Sequence, residues 1–332
     1  MKIFIDESGS FAPVPNRHGI SLVGALIVPD SKMPLIEQKY QKIRKGLPKE
    51  GNEVKGRLLN EAQVNRVVEM LSKNDVIFEV TIIDSSIHQP EMFDAHKKGQ
   101  EEGLTANLTD QFHPNAIEWA WGLRRRLEQM SMQLYIQSAM TFELIASIIE
   151  YSTIYYCQRQ PKALANFDWV VDGKSKEIIT DWESWWSFVV MPIIQSRSLR
   201  EPFHQFVEGD YTYYERFYTK TPEYLLPHIN DPSKEECVNV KQMLTESFRF
   251  SSDTETGLEL VDILSNATRR ALIGNLGIEG WKNIRDLMIH RKGQNLHLIS
   301  LGNVVPDRPC PYAKVIQHFN KGGKNMMAPR FR

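Results

Sequence analysis

MKIFIDESGS, residues 1–10, starts as a short apolar strand at Ile3 to Ile5 and ends on two adjacent carboxylates, Asp6 and Glu7, before Ser8 and Gly9 interrupt it. Two explanations compete for that ending. Asp followed by Ser and Gly is ordinary turn chemistry. Alternatively the strand carries a charge to a site, and burying a carboxylate is costly unless partners await it. The remainder of the chain has to supply those partners.

Working outward, LVGALIV (Leu22 to Val28) reads as a second buried strand, joined to the first through a Pro/Asn/Gly-containing connection and most simply antiparallel to it. Pro34 to Lys45 is helix-like, PKEGNEVKG is a loop carrying Glu53 and Lys55, EAQVNRVVEMLSK is an amphipathic helix, and Val76 to Asp84 is a third strand. HQPEMFDAHKKGQEEG reads as a polar loop, and the stretch from Asn115 to Gln160 has helical periodicity beyond one ordinary helix length. FDWVVDG is a fourth strand ending in Asp172, KSKEIITDWESWWSFVVMPII a tryptophan-rich helix, FHQFVEG a fifth strand, and TGLELVDILSNATRRALIG a closing helix. These elements predict an α/β domain with a mixed sheet of about five strands flanked by helices. Its core spans 1–84 and 166–302, a helical insertion spans 85–165, and a loose basic tail with Lys314, Lys321, Lys324, Arg330 and Arg332 spans 303–332.

Lys+Arg number 40 against Asp+Glu 41, so no overall positive field draws the chain to a polyanion, and any nucleic-acid surface must be local. Cys157, Cys237 and Cys310 are too scattered for a disulfide framework or a structural zinc. Purely apolar runs fall well short of the roughly 20 residues that cross a bilayer, which predicts an intracellular, cytoplasmic protein with no membrane partner. There is no phosphate-binding glycine loop, dinucleotide fingerprint or HExxH. The basic groups LRRRLEQ, ATRRA and IHRKG read as solvated helix faces or a phosphate track. WESWW reads as core, and YTYYERFY as core or a stacking surface for bases.

Four carboxylates sit beside apolar structure: Asp6, Glu53, Asp172 and Asp262. Each has a plain explanation alone, as a turn at Asp6 and at Asp172-Gly173 or a solvated pair at Glu53 and Lys55. Spacing on the closing helix puts Glu255, Glu259, Asp262, Asn266 and Arg269 on one narrow stripe within a wide apolar surface, facing solvent or a polar cleft. Brought together, such carboxylates repel and require a cation. An all-oxygen donor set selects Mg²⁺ or Mn²⁺, which in pairs can activate water against a phosphodiester.

FIDESG at the start, EVKG in the first third, a strand ending in Asp172 and GLELVDIL in the closing helix together resemble the bacterial family filed as domain of unknown function 3800, whose fold is ribonuclease H-like. The resemblance covers the start to about Asp84 and Asn166 to about Arg270. It implies Asp6, Asp172 and Asp262 as metal ligands with Glu53 or Glu7 as a fourth, and Lys55 as a contact to substrate phosphate or a tether for a carboxylate. The chain departs from the family at Glu259 and Val261, where Gln and Ala are expected, so Glu259 and Asp262 compete for the ligand role on that helix. The expected activity is a metal-dependent nuclease, a hydrolase acting on DNA or RNA. A non-catalytic nucleic-acid-binding module and a phosphatase on small phosphoesters are the alternatives.

Overall fold

The structure is a computed structural model, and it describes residues 1–12, 19–110, 112–173, 184–186, 190–221, 236–291, 293–302 and 310–331. Six strands form one mixed sheet: β1 (Lys2–Ser8), β2 (Ile20–Val28), β3 (Ile77–Asp84), β4 (Asp168–Asp172), β5 (Phe248–Ser251) and β6 (His297–Leu298). In space they run β6-β3-β2-β1-β4-β5. β1, β2 and β3 are antiparallel neighbours, β4 lies parallel to β1 and β5 parallel to β4, and β6 is parallel to β3.

Alternation along these strands feeds a core on each face. Ile3, Ile5, Trp169 and Val171 point into one and Phe4 and Val170 into the other. The first core is roofed by the helices of the middle segment: α3 (Pro90–Gly103), α4 (Pro114–Gln129), α5 (Met132–Ser147) and α6 (Thr153–Cys157). α1 (Met33–Arg44), α2 (Glu61–Ser72) and the long helix α9 (Thr256–Leu272) cover the second. Between them in sequence lie α7 (Met191–Arg200) and α8 (Val240–Thr245). α9 sits directly on β1 and β2, close enough that a Cβ on Gly257 would stand 2.3 Å from the Phe4 ring.

Several expectations are corrected. The polar run read as a loop is α3, started by Pro90 in its first turn and supported by Lys97–Glu101 and Lys98–Glu102 pairs one turn apart. PKEGNEVKG is not a loop but a two-stranded ribbon, Lys49–Glu50 against Glu53–Val54, which Gly51 turns at φ +58°. The fifth strand is FRFS rather than FHQFVEG. Phe248 and Phe250 pack on Trp186, whereas 203–209 is irregular and leaves Val207 at the surface. Of the tryptophan-rich helix, 174–183 and 187–189 lie outside the described residues. Residues 310–331 are no loose tail: α11 (Ala313–Asn320), which follows the single-turn α10 (Ile278–Trp281), buries Phe319. Asn295 ties it down by donating to the carbonyls of Phe319 and Gly322.

The helical stretch Met132–Cys157 is long and apolar enough to cross a membrane, which the reading of short apolar runs missed. In this fold it is a core helix, with Ile136, Met140, Leu144 and Ile145 fully buried over the sheet. It contains one π-helical turn at Ile148–Ser152.

Candidate active site

β1 runs on to Ser8, two residues past Asp6. Strand alternation therefore still holds at Glu7 and separates the two carboxylates. Asp6 lies on the Phe4 face, under α9, while Glu7 lies on the opposite face with Ile3 and Ile5. This corrects the reading of Glu7 as a possible fourth ligand beside Asp6. Parallel pairing aligns Ile5 with Val171, so Asp6 and Asp172 follow as neighbours at the ends of adjacent strands, on the same face.

α9 delivers Asp262 from above. Its Oδ2 accepts from the Gly56 backbone N–H at 2.7 Å and its Oδ1 from Asn266 Nδ2 at 2.6 Å, and its carboxyl is hydrogen-bonded to that of Asp6. Two carboxyl groups in such contact cannot both be fully ionised without a proton or cation between them. Burial accordingly pushes Asp262 above the usual carboxylate range, the Gly56 N–H, Lys55 and the Asp6 bond pull against it, and Glu53 adds to the rise.

Glu53 and Lys55 arrive on the ribbon, joined at 2.8 Å. The Lys55 ammonium also feels Asp262 and Asp172. Burial works to lower its pKa, yet Glu53, Asp262 and Asp172 outweigh burial and hold it above its ordinary value. Asp172 is raised as well. Burial, with Glu53 and Asp262 adding to it and Lys55 opposing, raises it from the ordinary 3.8 to about 6.

The structure thus gathers Asp6, Asp172, Asp262, Glu53 and Lys55, and leaves Glu7 out. Glu259 is also accounted for. It is 1% exposed and accepts from Arg44 Nε at 2.6 Å, Arg44 Nη2 at 2.7 Å and the Val54 N–H at 2.7 Å. Its two oxygens are engaged one turn before Asp262, so it anchors the ribbon and does not face the cluster. The polar stripe of α9 faces neither bulk solvent nor a single cleft. Glu255 pairs with Arg249, Glu259 with Arg44, Asp262 faces the cluster, Asn266 supports Asp262, and Arg269 donates to the Ile20 carbonyl.

Gly56 and Asn266 are the supporting residues that sequence reasoning left without a role. Gly56 is needed for close approach: a Cβ there would stand 2.8 Å from the Asp262 carbonyl oxygen and from Ile263 Cα, both backbone. Gly56→Ala should push the ribbon off α9 and lose the N–H bond to Asp262. It is expected to lower stability by about 1–3 kcal/mol, as read by thermal unfolding.

The basic groups are mostly committed to the fold. Arg270 donates to the carbonyls of Gly56 and Leu59, Arg269 to Ile20, and Arg291 is buried against Glu79. Tyr214 and Phe217 of the aromatic run are core, and Trp185 and Trp186 are buried.

A divalent cation suits these residues in donor type and in electrostatics. The donors are all hard oxygens, and the raised Asp172 and Asp262 are the strain such a charge would relieve. The fit is not one of enclosure, because among the described residues no three Asp, Glu, His or Cys side chains already surround an ion position. Positive charge in the cluster comes from Lys55.

The raised Asp172 also has a stability consequence. Its folded pKa lies above the unfolded value, so ionising it costs the native state. That cost is absent below about pH 4, grows as pH rises to about 6, and is complete above. On the linkage relation it amounts to something on the order of 3 kcal/mol. Asp172→Asn is therefore expected to be more stable than the parent in urea unfolding at pH 7, with the difference vanishing near pH 4. Equal stability at pH 7 would show that Asp172 carries no such penalty.

Neither protein-family models, curated proteins nor solved structures gave a match to this chain, so its reading rests on the geometry of this acidic site.

Proposed function

We propose that the chain is a divalent-metal-dependent phosphodiesterase with a ribonuclease H-like core, acting as a nuclease on DNA or RNA. One observation carries the reading: Asp6 on the first strand, Asp172 at the end of the fourth and Asp262 on the helix packed over them converge from distant parts of the sequence onto one buried cluster. A fold that needed only turns or solvated pairs has no reason to bear the cost of Asp172. Perturbed carboxylates gathered from separate elements are a mark of functional sites.

Asp6, Asp172 and Asp262 would hold Mg²⁺ or Mn²⁺, with Glu53 at the edge. Bound there, the metal would lower the pKa of water and offset the charge that develops on phosphate oxygens. The chain's own contributions are distinct. The Gly56 N–H and Asn266 fix the Asp262 carboxylate, and Arg44 with Glu259 fixes the ribbon that carries Glu53 and Lys55. Lys55, one-third exposed, is placed to exchange its carboxylate partners for a substrate phosphate.

A second reading is a nucleic-acid-binding module without catalysis. The observation favouring it is that the Lys55 ammonium already supplies a positive charge among the acids. Purified protein incubated with labelled single- and double-stranded DNA and RNA, with Mg²⁺, with Mn²⁺ and with chelator, separates the two. Metal-dependent cleavage supports the nuclease, salt-sensitive binding with no cleavage supports the module, and turnover confined to mononucleotides points to a phosphatase.

A further inference from the structure

Where α1 flanks the ribbon and α9, a cavity of about 390 Å³ opens beside the acidic cluster. Every side chain lining it is polar. Gln41 and Arg44 come from the last turn of α1, Lys49 and Asn52 from the ribbon, and Thr254 and Thr256 from the start of α9. All six carry hydrogen-bond donors. The single carboxylate in the lining, Glu259, already accepts from Arg44 and the Val54 N–H, so the Lys49 ammonium is left uncancelled.

Positive charge continues outward from this opening. Residues 38–52 hold Lys39, Lys42, Arg44, Lys45 and Lys49 against one carboxylate, Glu50, which Arg57 pairs. Lys42, Lys45 and Lys49 are exposed, and among the described residues none of the three forms an ion pair or a side-chain hydrogen bond. Lys45 follows Gln41 by one turn and Lys42 by three residues, so helical spacing sets the two lysines side by side on the exposed surface next to the cavity. In a chain whose 40 basic residues are balanced by 41 acidic ones, this is a local positive field. Its position places it at the site: Asn52 adjoins Glu53, and Glu259 stands one helical turn, about 5 Å, before Asp262.

We propose that this cavity and the three lysines carry the phosphates of a single nucleic-acid strand away from the acidic cluster, with one phosphate in the cavity on Lys49, Thr254 and Thr256 and the next ones along Lys45 and Lys42. The inference rests on the nuclease reading and extends it: the substrate is a polymer held along its backbone, not a mononucleotide. A phosphodiester oxygen is an acceptor that matches the converging donors and the unpaired ammonium. Backbone contacts of this kind carry no base information, so the track holds strands without regard to sequence.

Fluorescence anisotropy of the full chain with a labelled single strand of about 12 nucleotides, in chelator so that cleavage plays no part, tests the track. The parent should bind saturably, with affinity falling steeply between about 50 and 200 mM salt. The triple variant Lys42→Gln/Lys45→Gln/Lys49→Gln should bind at least tenfold more weakly at the lower salt. Its slope of log affinity against log salt should be shallower by about 2, as for three lost phosphate contacts on a single strand. Lys98→Gln with Arg125→Gln, on the helices over the other face of the sheet, should bind like the parent. All five positions are exposed, and thermal unfolding should be unchanged. The proposal is overturned if the parent binds no strand, if the triple variant binds within twofold of the parent, if the control pair weakens binding as much, or if polyglutamate displaces the strand as well as an unlabelled strand does. Absence of metal-dependent cleavage together with the expected loss in the triple variant would instead sink the nuclease reading and support the track.

Discussion

Asp6→Asn is expected to lose metal-dependent cleavage by more than about 100-fold while keeping the fold. Substitutions one shell out from a metal typically cost about 10–100-fold, and a direct ligand should exceed that. Preservation of the fold follows from the contacts. An asparagine at position 6 keeps an oxygen for the Glu7 N–H, which lies 2.8 Å from Asp6 Oδ1. Its amide can donate to Asp262, replacing a contact between two carboxyls that depends on a shared proton. Unfolding midpoints should therefore be equal or slightly raised. Asp262→Asn should lose activity equally but is less neutral to the fold: the Gly56 N–H donates to one carboxylate oxygen and Asn266 Nδ2 to the other, and an amide has only one oxygen, so either the Asn266 amide must turn over or the Gly56 N–H loses its acceptor. Labelled-substrate cleavage at saturating Mg²⁺ or Mn²⁺, paired with thermal unfolding, reads both quantities. Unchanged cleavage in the two variants would sink the nuclease reading.

How far the sequence disclosed this site depended on the kind of signal. The strands bearing Asp6 and Asp172 were legible because each is an uninterrupted apolar run, and the closing helix because its stripe recurs at helical spacing. Which stripe member faces the cluster was not legible. Glu259 and Asp262 are nearly equivalent by periodicity, and only the position of Arg44, more than two hundred residues away in sequence, separates the carboxylate that anchors the ribbon from the one that faces the acidic cluster. Glu7 was ambiguous for a related reason: its face depends on whether the strand stops at Asp6, and Ser8 and Gly9 suggested a stop that the pairing of Ser8 with Leu22 does not bear out. Short strands such as His297–Leu298 take their structure from the edge they join and have no pattern of their own. The middle segment misread as loop at 90–103 shows the same limit, because a surface helix with one buried Phe93 has almost no apolar period to detect.

The division of labour along α9 makes the second large effect predictable. Glu259 is buried beside Tyr40, and its carboxylate is the shared acceptor for the Arg44 guanidinium and the Val54 N–H. Arg44 in turn donates to the Asn52 carbonyl. One ion pair therefore ties α1, the ribbon and α9 together at the point where Glu53 and Lys55 enter the site. Arg44→Ala leaves the buried Glu259 carboxylate uncompensated and should cost about 3–5 kcal/mol, whereas Glu259→Ala leaves the part-exposed Arg44, which solvent can reach, and should cost less. The double variant Arg44→Met with Glu259→Leu should lose less than the sum of the singles, because no lone charge remains. What separates this residue from Asp262 is the order of effects. Glu259 variants should lose stability first, and where the protein stays folded at low temperature they should retain metal-dependent turnover to a degree that Asp262 variants do not. Equilibrium unfolding in urea gives the coupling energy, and turnover measured below the unfolding transition gives the chemical consequence. A Glu259→Gln protein as stable as the parent but inactive would reverse the assignment and make Glu259, not Asp262, the residue on α9 that serves the reaction.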